Sequence, residues 1–371
     1  METSQGRAAQ RGRGNPKMRT MQEQSSSTAV AVPGAVTPGP TIFPPAGYSF
    51  LAAIMFLDAS LSIVNNTLVI VITCRYPSLR SPLNALILSM CVSDLLMSLC
   101  GTTIAMVSNF HGSLRHIGHA GCVFQGFSVN YFGCVSLWSL TLLAYERRLV
   151  VTHGCSMRGG WPRARRGLAF IWTFCLVWAV APLLGWSAYG PEGVQTSCSI
   201  AWERRSLSNY TYLVSYFLAC FVIPVSIIVF SYGNVLCSLH TLNKKIKRVG
   251  GHPDPREEMR AAVMVLAMVG AFMACWLPYT VLALCVVLSP GTQIPPLVAT
   301  LPMYFAKTSP IYNPIIYFFL NRQFRACAVE FVTCGAVKLN EPKDESASPP
   351  PADTAELPGP TPPRHNQVSP A

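Results

Sequence analysis

Charge is what this 371-residue chain has least of: 12% of residues, with 28 Lys and Arg against 16 Asp and Glu. Soluble globular chains carry about 25% charge, so an ordinary cytosolic enzyme is excluded. The net charge of +12 falls in short clusters between long apolar runs. It does not line one face together with aromatics, and that excludes a nucleic-acid partner. The chain also lacks the compact apolar segment and small-residue cleavage site of a signal peptide, so its first apolar span is expected to direct insertion. It has no inverted repeat of interrupted helices, which argues against a transporter.

What is present is 51% hydrophobic residues. A membrane-crossing helix needs about 20 mainly apolar residues, because the bilayer core offers bare backbone groups no water. Stretches at roughly 48–73, 83–108, 120–151, 165–186, 210–240, 258–288 and 296–318 meet that need. The predicted fold class is therefore an all-α membrane protein, a seven-transmembrane-helix bundle over 48–318. Residues 1–47, with Gly, Pro, Ser and Arg among small side chains, cannot bury a core and read as a disordered tail. Residues 336–371 form a second such tail, rich in Pro, Ser, Thr and Glu. Loops on one side hold fourteen Lys and Arg, in groups of two, six and six; the opposite loops hold Arg115, Arg204 and Arg205. The basic side and the C-terminus are thus expected in the cytoplasm and the N-terminus outside. The basic N-terminal tail opposes this only weakly, since most of it lies far from the first span.

Most of the 14 Cys fall within spans, where a thiol acts as a small apolar residue. Cys122 opens span three on the outer side and Cys198 lies in the second outer loop. Both face an oxidising compartment, which permits either a disulfide or two buried thiols. Asn209-Tyr210-Thr211 is an outward-facing sequon expected to carry glycan; Asn65-Asn66-Thr67 lies within a span.

Ionisable groups inside a bilayer are costly and tend to be functional. Lys307 stands about half-way along span seven, too deep to snorkel easily. It is either a structural lysine paired with an acid or a nucleophilic amine: burial disfavours the ammonium form, and a neutral amine condenses with an aldehyde. A cation formed there needs a carboxylate, for which Asp58, Asp94, Glu192 and Glu203 are the candidates. If Cys198 is tied to Cys122, the outer loop is pulled across the bundle's mouth and Glu192 becomes the acid best placed over Lys307. At the cytoplasmic side, Glu146-Arg147-Arg148 ends span three and Glu258 begins span six. These form either a helix-linking ion pair that can open or a solvated basic cluster. Pro182, Pro224, Pro278 and Pro314 fall within spans four to seven, with Pro310 one turn before the last, and each removes a backbone hydrogen bond.

Jointly these residues resemble the rhodopsin-type G-protein-coupled receptors over about 45–335. The resemblance is carried by Asn66; Leu83-Asn84 and Asp94; Cys122 and Glu146-Arg147; Trp172; Pro224 and Tyr232; Cys275-Trp276-Leu277-Pro278-Tyr279; and Asn313-Pro314-Ile315-Ile316-Tyr317. Asn321 to Arg325 resembles the short amphipathic eighth helix, expected over 319–335, and Cys334 a palmitoylation site at its end. Phe305-Ala306-Lys307-Thr308 is similar to the retinal attachment site of opsins, and Pro191-Glu192-Gly193 before Ser197-Cys198-Ser199-Ile200 to their plug loop. Three residues after Cys122, where vertebrate visual opsins have Glu, stands Gln125. That exchange, with Glu192 in the loop, resembles the non-visual parietopsin group of vertebrate ciliary opsins.

The resemblance implies a light-activated receptor, not an enzyme. It implies a Cys122–Cys198 disulfide and 11-cis retinal held as a protonated Schiff base on Lys307, with Glu192 as counterion and Gln125 nearby. Trp276 and Tyr279 would lie beneath the polyene, Gly133, Cys134 and Phe221 along it, and Trp202 by the plug. Glu146, Arg147, Tyr232, Glu258, Asn313, Pro314 and Tyr317 would form the switch, with Asp94 a candidate sodium or water site and no other metal. Arg148 departs from the aromatic usual in the family. Light would convert the chromophore to all-trans retinal and open a cleft for a transducin/Gi/Go-type heterotrimeric G protein. Receptor kinase and arrestin would act at the tail, in a plasma or photoreceptor-cell membrane. The rival readings are a retinal photoisomerase and a chemosensory receptor of the same fold in which Lys307 is incidental. Glu146-Arg147 and the Asn313–Tyr317 motif count against the isomerase, which needs no G-protein switch.

Overall fold

In an apolar run the backbone's best partner is itself, and the seven runs fold as helices accordingly. The computed structural model describes residues 43–153, 160–246, 255–289 and 294–339, without the side chains of 153, 239–246 and 255–258. Span one is α1 (Pro45–Arg75) and span two is α2 (Pro82–Met97) with α3 (Thr103–Phe110). Span three is α4 (Gly118–His153) and span four is α5 (Gly160–Val180). Span five is α6 (Leu207–Phe217) with α7 (Ile223–Ile246), and span six is α8 (Pro255–Leu288). Span seven is α9 (Pro296–Lys307) with α10 (Ser309–Leu320), and α11 (Arg322–Val332) follows it. Among the described residues, six of the spans are continuous helical stretches long and apolar enough to cross a membrane.

The seventh is broken at Thr308, directly after Lys307, though Thr308 keeps a right-handed helical backbone (φ −76°, ψ −10°). Pro310 cannot donate to the preceding turn, which ends α9 there. Pro314 likewise leaves the Pro310 carbonyl without its helical donor, and Asn66 Nδ2 of span one fills the gap at 2.9 Å. One proline expectation needs correction. Pro182 lies past the end of α5, in the 3₁₀ turn Ala181–Leu184, whereas Pro224 lies within the continuous helix of span five, directly after its π turn. Pro278 and Pro314 do lie inside helices, as does Pro302. The N-terminal tail expected over 1–47 gives up its last residues to α1, which starts at Pro45.

Two π turns, Ser98–Thr102 in span two and Leu218–Val222 in span five, insert an extra residue into the helical ladder. The bundle also carries two short antiparallel strands, β1 (Tyr189–Glu192) and β2 (Ser197–Ile200), with Tyr189 opposite Ile200 and Glu192 opposite Ser197. This hairpin qualifies the all-α expectation and forms a lid. The largest buried cluster lies towards the other end, where Met90, Leu140, Val265, Met268 and Tyr317 meet. There α11, capped by the Asn321 side chain on the Phe324 N–H (2.8 Å), packs Phe324 against Tyr317 with ring centroids 4.4 Å apart. The tails at 1–42 and 340–371 lie outside the described residues.

Candidate functional site

The lid is fixed from five sides. A disulfide joins Cys198 of β2 to Cys122 at the start of span three, with Cα atoms 5.4 Å apart. Gln125, fully buried one turn below, donates to the Gly101 carbonyl (3.0 Å) and accepts from the Cys198 N–H (3.0 Å). Gln125 is therefore a clamp between span two and the lid, outside the cavity lining. In the β1–β2 turn, Thr300 accepts from the Val194 N–H (2.9 Å), Tyr48 donates to the Val194 carbonyl (3.0 Å), and Thr196 donates to Asn109 (2.8 Å). Gly193, at φ +59°, opens the turn in a backbone region L side chains avoid. Spans one, two, three and seven thus hold the hairpin, and span six holds it through Glu192.

Glu192 Oε2 accepts from Ser199 (2.5 Å) and from the Tyr279 hydroxyl (2.9 Å), and that hydroxyl in turn accepts from the Trp202 indole (2.7 Å). Its other oxygen, Oε1, is buried without a hydrogen-bond partner. Burial pushes the Glu192 carboxyl above its ordinary range; the charge of Lys307 and the bonds from Ser199 and Tyr279 pull it part of the way back. Lys307, only 2% exposed, ends α9. The carboxylates acting on its charge are Glu192 first and Asp58 second. No ion pair within 4.0 Å involves it among the described residues. Of the other candidate acids, Asp94 is engaged by Asn313 Nδ2 at 3.0 Å and Glu203 is exposed.

Beside this polar group lies a cavity of about 340 Å³, within the range of small-molecule sites. Gly133, Cys134, Trp202, Phe221, Trp276 and Tyr279 all line it, as the sequence predicts, and so do Ser199 and Ile200 of the lid. A Cβ on residue 133 would stand 3.1 Å from the Trp276 ring, so glycine there makes room for the indole. The π turn of span five carries Phe221 into the lining. Lys307 and Glu192 are not lining residues; Ser199 and Tyr279, which are, connect Glu192 to the cavity. Sequence reasoning missed Ser199, whose signal was its place next to Cys198.

At the other end, Glu146 and Arg147 are buried. Arg163, unanticipated, stands 3.8 Å from Glu146. The Glu258 side chain lies outside the described residues. Tyr232 donates to the Ala262 carbonyl at 3.0 Å and ties span five to span six. Arg148 rests its guanidinium 4.7 Å from the Phe230 ring centroid, a cation–π contact. Cys334 is exposed just past α11. The glycan expected at Asn209 does not fit: that side chain is 1% exposed, with its amide donating to the Ala201 (2.9 Å) and Arg204 (2.8 Å) carbonyls.

Residues 65–317 match the family described as 7 transmembrane receptor (rhodopsin family). The chain is 41% identical over 322 residues to pinopsin of Gallus gallus, covering 84% of this chain and 90% of that protein. It is 39% identical over 300 residues to parapinopsin of Ictalurus punctatus, covering 79% and 85%. The crystal structure of squid rhodopsin superposes with a TM-score of 0.72 at 27% identity, covering 84% of this chain and 94% of that one.

Proposed function

The chain belongs to the opsins of the rhodopsin family of seven-transmembrane receptors, and from that membership we propose a light-activated receptor that carries retinal on Lys307, with Glu192 as the counter-charge to that nitrogen. Membership makes it a multi-pass membrane receptor, not an enzyme, whose partner class is the heterotrimeric G protein. The observation that carries the finer reading is a buried amine on span seven acted on by a buried lid acid that keeps one oxygen free of hydrogen bonds. The residues fit retinal: an apolar cavity lined in part by the lid, an aromatic floor at Trp276, and at its polar edge Ser199 and Tyr279, both bonded to the acid. When bound, retinal supplies an aldehyde for the lysine amine and a polyene that light converts from the 11-cis to the all-trans form.

The chain's own residues do the rest. Ser199 and Tyr279 hold the Glu192 carboxylate by one oxygen and leave the other facing charge. The lid keeps bulk water from Lys307. Trp276, linked to Ser309 of span seven at 2.9 Å, couples the cavity floor to the span broken beside Lys307. At the opposite end Glu146 and Arg147, with Glu258, form the switch, and Tyr232, Asn313, Pro314 and Tyr317 relay to it. We assign that end to the cytoplasm, where its basic loops meet a transducin/Gi/Go-type G protein and the tail meets receptor kinase and arrestin. Cys334 is exposed for palmitoylation. Gln125 with Glu192 favours the parietopsin-like, non-visual branch.

Expression with 11-cis retinal tests this reading. A visible absorption band should form and light should change it. Lys307→Ala should abolish the band, and Glu192→Gln should shift its conversion to an ultraviolet band to lower pH. A full visible band in Lys307→Ala would refute the attachment.

A further inference from the structure

In the apolar middle of span one, Asp58 is 3% exposed and neither of its carboxylate oxygens has a hydrogen-bond partner. A carboxylate so placed is costly unless a cation or a proton compensates it. Asp94 has Asn313 and Glu146 faces Arg163, so neither raises the same question.

The helix geometry says what Asp58 faces. Met55, Asp58, Ala59, Ser62 and Asn66 share one buried face of α1 at helical spacing. At the lid end of that face, Met55 packs in a cluster with Met303 and Tyr304 of span seven. At its other end, Asn66 donates to the Pro310 carbonyl. Spans one and seven therefore run in the same direction, and Asp58 looks at the stretch of span seven that contains Lys307. Asp58 precedes Asn66 by eight residues, about 12 Å of helix; Lys307 precedes Pro310 by three, about 4.5 Å. The lysine stem points towards the helix N-terminus and climbs most of the remaining distance. Their charges act on one another accordingly. The other titratable groups at this place are Glu192 from the lid, Tyr304 with its ring 5.9 Å from Lys307 Nζ, and Cys275 of span six, on which Asp58 acts.

We propose that the nitrogen of Lys307 is balanced by two acids, Glu192 from the lid and Asp58 from span one, which share one negative charge and one proton. Two ionised carboxylates around one cation would leave a net negative charge in a low dielectric, so one of them stays protonated and the pair titrates together. Either acid can then hold the charge when the other is neutral. The retinal part of the test rests on the reading of Lys307 given above; the acid pair itself concerns groups of the ligand-free chain.

The experiment has two readouts on the full-length protein. In the ligand-free form, the side-chain resonance of Lys307, identified by its loss in Lys307→Ala, is followed by NMR against pH. Glu192→Gln and Asp58→Asn should each lower its midpoint by about one pH unit, a tenfold shift in protonation. The double variant should lower it by more than the two together. Asp58→Glu, which keeps the acid, should titrate like the wild type; a midpoint equal to that of Asp58→Asn would overturn the assignment. So would an Asp58→Asn midpoint unchanged both alone and on the Glu192→Gln background. With 11-cis retinal in chloride-free buffer, Glu192→Gln should keep a visible band in mildly acidic solution and Glu192→Gln/Asp58→Asn should lose it. Equal loss in both would refute the sharing. A wild type that forms no visible band would refute retinal attachment, while the NMR titration would still judge Asp58.

Discussion

Glu192 is pulled two ways. Burial disfavours its charge, while Lys307, Ser199 and Tyr279 favour it, and burial prevails. A carboxyl raised on folding contributes stability that is complete below its unfolded value and declines as pH climbs through the raised folded value. The ligand-free protein should therefore lose thermal stability as pH rises past 4.5, the ordinary value for this group. Glu192→Gln should flatten that part of the profile, which a melting curve at several pH values can read; a profile of the same slope in both proteins would show that the acid is not held in this environment. Gln125 has a different kind of role. Gln125→Ala strips a donor from the Gly101 carbonyl and an acceptor from the Cys198 N–H, each worth about 1–3 kcal/mol when left bare. Its melting temperature should fall clearly while its absorption band hardly moves. A large band shift with unchanged melting would place Gln125 at the chromophore after all. The residue type and its distance from Cys122 were legible in the sequence, but the job was not, because the groups it joins, the Gly101 carbonyl and the Cys198 N–H, lie 24 and 73 residues away from it.

Helices were the most legible elements, since seven apolar runs admit no other backbone solution, and their ends follow the expected stretches closely. The departures occur where the ladder is interrupted. Nothing in Ser98–Thr102 or Leu218–Val222 advertises an extra residue, because a π turn is set by what packs against the helix and not by local composition. Proline positions could be read but not all their effects: Pro182 falls past the end of α5, where its missing N–H costs that helix nothing. At Pro314 the loss is real and span one compensates it. Asn66→Ala should leave the Pro310 carbonyl bare and destabilise by about 1–3 kcal/mol. Pro314→Ala restores a backbone donor to that same carbonyl, so Asn66→Ala should cost much less on that background. Melting of the two single variants and the double gives the coupling directly. Simple additivity would mean that Asn66 acts elsewhere.

At the scale of the whole molecule, the described side chains tie the lid end firmly. The hairpin is held by a disulfide and by side chains from spans one, two, three, six and seven, so the lid end is tied to most of the bundle. The opposite end joins spans five and six through one described side-chain bond, Tyr232 to the Ala262 carbonyl. Charge patterning made the two ends distinguishable in the sequence, yet the bracing of the lid emerges only when Thr196 meets Asn109 and Val194 meets Thr300 across long separations. With the lid so tied, a rearrangement at the cavity floor should be expressed at the opposite end, with Pro278 inside span six as the point of bending. Spin labels at Val150 of span three and Arg260 of span six, in a background without exposed cysteines, should move apart after illumination of the retinal-bound receptor. Labels flanking the lid should keep their distance. Tyr232→Phe removes the tie and should widen the dark-state distance distribution between the first pair and raise G-protein activation in the dark. Were the lid labels to separate while Val150 and Arg260 stayed fixed, the bracing of the lid would have no bearing on which end opens.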